Sequence, residues 1–237
     1  MPTPATMPPH SDCGDDGSGA DRSRATAWTL ALFLVGYNLG HHNSLLGSAA
    51  GPDGTRMADW IDLLTPFVVV LPLLWFLWGQ RPHRRYLLLA AVGGILYVEG
   101  HGIHLSANSI GNAAVDDGGT ANGTTHLWDE VVGHYVWYLG LAVLLALCAR
   151  AARGRSLGIP APVLALGGAA CGITWATNGL EGGTAVFSLG CAVGSVALVD
   201  RRRSGLSLAV LAAGGVATAV LLAYGVVHGG FPQPSSL

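Results

Sequence analysis

Hydrophobic positions in this chain come in long runs, not in the short periodic stripes of a soluble helix. Seven such runs stand out, approximately Ala27–Ser48, Trp60–Trp78, Tyr86–Asn108, Thr125–Arg150, Ala161–Asn178, Thr184–Asp200 and Leu206–His228. Apolar runs near twenty residues are long enough to cross a bilayer as helices. The pattern therefore predicts an all-α, polytopic membrane protein of about seven transmembrane helices, with six or eight as the neighbouring counts. The fifth and sixth runs are short, close to the lower limit for a span.

The runs divide the chain into three parts. Residues 1–25 are rich in Pro, Ser, Gly and Asp and read as a disordered cytoplasmic tail. They lack the apolar core of a signal peptide. Residues 26–229 form the transmembrane domain, and residues 230–237 a short external tail.

Composition agrees with this picture. Of the 237 residues, 51% are hydrophobic and only 11% charged, against about 25% charged in a soluble domain. The net charge of −2 gives nucleic acid no purchase. All 12 basic residues are arginine, a usage expected of a GC-rich bacterial genome. Arg22 and Arg24, Arg81, Arg84 and Arg85, Arg150, Arg153 and Arg155, and Arg201 to Arg203 fall in alternate connections, leaving only Arg56 on the other side. The positive-inside rule then puts the N-terminus in the cytoplasm and the C-terminus outside. The expected location is the inner (cytoplasmic) membrane of the cell.

Small-residue spacings Gly36/Gly40, Gly168/Gly172 and Gly190/Gly194 permit close helix packing and are read as packing within the bundle; a homo-oligomer stays open. The four cysteines, Cys13, Cys148, Cys171 and Cys191, have no metal-type spacing and read as small packing residues with one tail thiol.

Orientation sorts the ionisable groups. Of nine histidines, His41, His42, His101, His104, His126, His134 and His228 all fall in the outer parts of spans. Ionisable groups inside a membrane are costly and therefore point to function. At about 100° per residue, Tyr97, His101, His104 and Asn108 share one arc of the third span, and Glu99 points the opposite way. His126, Glu130 and His134 are spaced i, i+4, i+8 along the fourth, flanked by Asp129. In the first span, Asn38 aligns with His41 or His42, only one of which can face a common point. At about 1.5 Å per residue, His41, His101 and His134 reach one level.

Imidazole and carboxylate together are ligands for transition metals. The expected metal ligands are His101, His104, His134, one of His41 or His42, and His126, the last with an interfacial role as its alternative. Asp129 and Glu130 are the candidate general bases. Tyr97 is placed to donate a proton, and Glu99 is either catalytic or a structural hydrogen-bonding group. Asp59 and Asp62 read as caps at the start of the second span, with Asp62 a lesser candidate for the site. Asp129, Glu130, Asn38 and Asn108 are placed to back the ligand imidazoles.

The function expected is a metal-dependent membrane hydrolase, zinc favoured, acting on a membrane lipid or other apolar small molecule. A copper, iron or haem oxidoreductase, such as a hydroxylase or desaturase, is the alternative. A metal or proton transporter fits less well, because the inner halves of the spans lack polar groups; a metal-bound sensor is the remaining non-enzyme reading. Seven spans with an embedded His/Asp site are similar in architecture to the alkaline ceramidase and adiponectin-receptor superfamily. That family carries ligand histidines on its second and seventh spans. Here the second has none and the seventh only His228, so no residue is carried over.

Overall fold

The computed structural model describes residues 28–39, 41, 50–80, 83–113, 120–151, 158–199, 205–234 and 237. The expected tail, residues 1–25, and His42 lie outside them. The described residues are helical throughout, apart from short connections and an isolated bridge between Ala50 and Arg56.

In chain order the helices are α1 (Trp28–Leu39), α2 (Met57–Asp62), α3 (Thr65–Gly79), α4 (Arg84–Ala113), α5 (Thr120–His126), a π-helix (Leu127–Gly133), α6 (His134–Ala151), α7 (Ala161–Glu181), α8 (Ala185–Leu198) and α9 (Gly205–His228). Among the described residues, five helical runs are long and apolar enough to cross a membrane: Met57–Gly79, Arg84–Gly111, Asn122–Ala151, Ala161–Glu181 and Leu206–His228. All five coincide with expected spans. The other two expected spans appear as shorter apolar helices, α1 and α8. At 14 residues, α8 extends about 21 Å, short of the ~30 Å hydrocarbon core.

Several boundaries differ from the sequence reading. The third span continues five residues past Asn108, to Ala113. The fourth is preceded by a helical turn and interrupted by the π-helix. The described part of the expected tail, residues 230–234, does not simply trail away. The Tyr224 hydroxyl donates to the Pro232 carbonyl at 2.9 Å, the Gln233 amide donates to the Glu181 carbonyl at 2.7 Å, and Phe231 packs on the α7–α9 cluster.

The bundle is arranged for a lipid surround. Its outward faces carry large apolar side chains such as Trp75, Trp78 and Val226, the last 83% exposed, while His101, His134, Thr174 and Ser188 are buried inside. Without a hydrophobic force between helices, association in lipid relies on close backbone approach through small residues.

Two closely packed pairs show this, α7 and α9 running parallel and α4 and α6 antiparallel. Between α7 and α9, a side chain at Gly168 or Gly172 would run into the carbonyls of Ala209 or Ala213. Between α4 and α6, a Cβ at Gly100 would strike the Trp137 backbone, and one at Gly140 the backbone of Tyr97 and Gly93. Gly36 lies as tightly on Val68. Gly190 and Gly194 face open space, so that expected packing pair is not one within the described residues.

Candidate metal centre

The α4–α6 contact sets the centre. Gly93 and Gly100 on α4, with Gly133 and Gly140 opposite, form a seam of backbone against backbone. A Cβ at Gly133 would lie 2.9 Å from the His104 nitrogen. Long side chains flanking this seam have to meet beside it. Those side chains are Tyr97, His101 and His104 from α4, and Asp129, His134 and Trp137 from the opposite strand of the hairpin.

The indole of Trp137 occupies the middle. Ring centroids lie 4.7 Å from it for His134, 5.0 Å for His104, 5.3 Å for His101 and 5.2 Å for His41. Three helices thus bring imidazoles to one level around a single tryptophan.

Hydrogen bonds fix the tautomers, since a ring nitrogen that donates leaves the other as lone-pair carrier. His104 donates from Nδ1 to the Asp129 carboxylate at 2.5 Å. His134 donates from Nδ1 to the Asp129 main-chain carbonyl at 2.7 Å. Asp129 therefore holds both rings, one through its side chain and one through its backbone. Donor atoms of His104, Asp129 and His134 lie within 4.8 Å of one another, close enough to surround one metal ion; an ion shared by all three would take the place of the proton between His104 Nδ1 and the Asp129 carboxylate.

The π-helix makes this geometry. Its i→i+5 ladder places Asp129 directly under His134, five residues on. The i, i+4, i+8 stripe of His126, Glu130 and His134 expected from a regular α-helix is broken at this point. His126 is exposed and lies outside the group of three. Glu130 is half-buried, and its Oε2 is buried without a hydrogen-bond partner among the described residues.

His101 belongs to a second, adjoining arrangement. Its Nε2 donates towards Asp62, 3.2 Å from the carbonyl and 3.4 Å from the carboxylate. The Thr65 hydroxyl holds the same carboxylate at 2.8 Å. The opposite nitrogen of His101, Nδ1, is buried with no partner among the described residues. Asp62 is thus a buried partner of His101 rather than an interfacial cap. Asp59 does cap, accepting from the Arg56 amide at 2.9 Å.

The remaining sequence candidates fall as follows. His41 donates from Nδ1 to the Tyr37 carbonyl at 2.7 Å, and the buried Tyr97 hydroxyl points at its Nε2 from 3.5 Å. Glu99 is on the outward face of α4, away from the cluster. His228 is exposed at the end of α9. Asn38 does not back an imidazole: it donates to the Leu34 carbonyl and accepts from the buried Thr174 hydroxyl, tying α1 to α7.

Two contributors were not singled out from sequence. Trp137 looked like one apolar residue among many. Gly182 ends α7 against His134, where a Cβ would collide with Cδ2 and Nε2 of the imidazole. The tight α7–α8 turn presents it there, closed by Gly183 in the left-handed region at φ +60° and by the Thr184 amide donating to the Gly179 carbonyl at 2.9 Å.

Comparison with protein-family models, with curated proteins and with solved structures finds no match, so the functional reading rests on this geometry.

Proposed function

We propose that this chain is a multi-pass membrane enzyme that holds a divalent transition metal, zinc favoured, through His104, Asp129 and His134, and hydrolyses a lipid or other apolar substrate. The observation that carries this reading is the convergence of those three donor sets, from two helices, within 4.8 Å. Three protein ligands with a further position open are the pattern of catalytic zinc. When bound, such a metal supplies Lewis acidity and a bound water of lowered pKa.

The chain's own groups have definite roles in this scheme. The Asp129 carbonyl keeps His134 in the tautomer whose Nε2 lone pair is free, as outer-shell acceptors do for metal-binding histidines. Glycine at 182 spares that edge of the ring from a covering side chain. Glu130, the residue after Asp129, keeps a buried carboxylate oxygen without a hydrogen-bond partner among the described residues and is the candidate general base. The arginine distribution supports a site in the outer half of the bilayer with the N-terminus cytoplasmic, in a topology of seven helices that counts α1 and α8 as spans.

Two histidines and one carboxylate are also the donor set of non-haem iron oxygenases, which makes an iron oxidoreductase the second reading. Metal analysis of the purified full-length protein separates them. About one zinc per chain is expected, falling at least about tenfold in His104→Ala, Asp129→Ala and His134→Ala and unchanged in His126→Ala. Stoichiometric iron would favour the second reading. Metal content unaffected by all three ligand substitutions would overturn both.

A further inference from the structure

The half of the bundle that holds Arg150 carries a cavity of about 510 Å³ between α1, α3, α6, α7, α8 and α9. It lies at the other end of α6 from His134, and borders the histidine cluster only through Tyr37, which lines it and packs on His41. That volume falls within the range of small-molecule sites. Its walls are aliphatic and aromatic, including Leu30, Phe33, Leu73 and Leu164. Arg150 is the one charged side chain among its described lining residues, and it ends the cavity on the side where the arginine-rich connections begin.

We infer that this cavity binds a single-chain anionic amphiphile, its hydrocarbon chain along α6 and α7 and its anionic end at Arg150. An apolar interior that opens among lipid-facing helices selects a molecule dissolved in the membrane. The Arg150 guanidinium, beside the Tyr86 hydroxyl at the rim, selects an anionic end, as fork-shaped donors match carboxylate and phosphate. Either head supplies the same chemistry. The inference stands on the cavity alone and is independent of the metal centre.

Two glycines of α8 make the test. Gly194 lines the cavity, and a Cβ there would meet nothing within 4 Å; Gly190, one turn earlier, is equally open but does not line it. Native mass spectrometry of the full-length protein in mild detergent would be titrated with oleate, oleoyl lysophosphatidate and oleyl alcohol. The expected result is one bound oleate or lysophosphatidate per chain, with the alcohol weaker by about tenfold or more. Preference for the carboxylate over the phosphate, or the reverse, identifies the head. Arg150→Gln should abolish the preference for anions. Gly194→Phe should weaken binding about tenfold or more, and Gly190→Phe should leave it unchanged. Equal binding of all three amphiphiles, or full binding in Gly194→Phe, would overturn the proposal.

A second readout uses native residues, because Cys148, Cys171 and Cys191 all line the cavity. In a Cys13→Ser background, saturating oleate should slow their modification by a membrane-permeant maleimide severalfold. An unchanged labelling rate would refute the proposal even if the glycine variants do not fold.

Discussion

Asp62 and Asp129 show how much depends on single carboxylates in this bundle. Each is paired with an imidazole inside an apolar surround, where a polar group left alone is expensive. Their consequences should differ. Asp129 touches two rings and belongs to the proposed ligand set, whereas Asp62 touches His101, outside that set. Asp62→Ala is expected to destabilise the fold by about 1–3 kcal/mol while leaving metal content near normal; thermal unfolding in detergent and metal analysis check both halves. Asp129→Ala should do the reverse, with metal lost first. At this scale much of the centre was legible in the sequence. His41, His101 and His134 fall at one depth on helical counting, and the structure does bring those rings together around Trp137. Trp137 was not legible, because a tryptophan inside an apolar run carries no mark of whether it faces lipid or the middle of a cluster. Gly182 was hidden for a related reason: its role is set by a contact with a residue almost fifty positions away, reached only through the α7–α8 turn.

Among the elements, the α4–α6 hairpin sets the geometry of the centre. The spacings Gly93/Gly100 and Gly133/Gly140 are each seven residues, two helical turns, so both glycines of a pair return to the same face. A seven-residue glycine spacing serves close packing by the same physics as the four-residue one, without its familiar signature. Gly100→Ala and Gly140→Ala should each force the backbones apart, at a cost of about 1–3 kcal/mol in stability and with loss of bound metal. Gly102→Ala, whose Cβ meets open space, should be neutral or stabilising by up to about 1 kcal/mol. Thermal denaturation of the three variants side by side makes the comparison. The π-helix was likewise invisible, since a 100° rule applied along residues 126–134 assumes the ladder it is meant to find. Deleting Val131 would restore a regular register and turn Asp129 by about 100° relative to His134. That variant should keep its helical circular dichroism and lose its metal.

For the molecule as a whole, the apolar runs carried most of the architecture. Five long helices lie where the sequence placed spans, and the buried polar side chains gather inside, not on the lipid face. The length of α8 was less legible, because hydropathy reports where apolar residues lie and not where a helix stops. The Val199 backbone is already extended, with φ −65° and ψ 134°. The orientation argument makes its own prediction. In a Cys13→Ser background, a membrane-impermeant thiol reagent applied to intact cells should label Gly123→Cys, beyond the outer end of α4, and spare His83→Cys, before its start. The opposite labelling pattern would invert the topology and place the histidine cluster towards the cytoplasm.

The short stretch after α9 has a practical bearing on any experiment with this protein. Gln233 is anchored to the Glu181 carbonyl, one residue before the glycine that rests on His134. An affinity handle fused at the carboxyl end would tug on that anchor, and trimming the last five residues would remove it. Purification handles therefore belong at the amino end, and a comparison of metal retention between the two tagged forms would reveal how firmly the strap holds the turn in place.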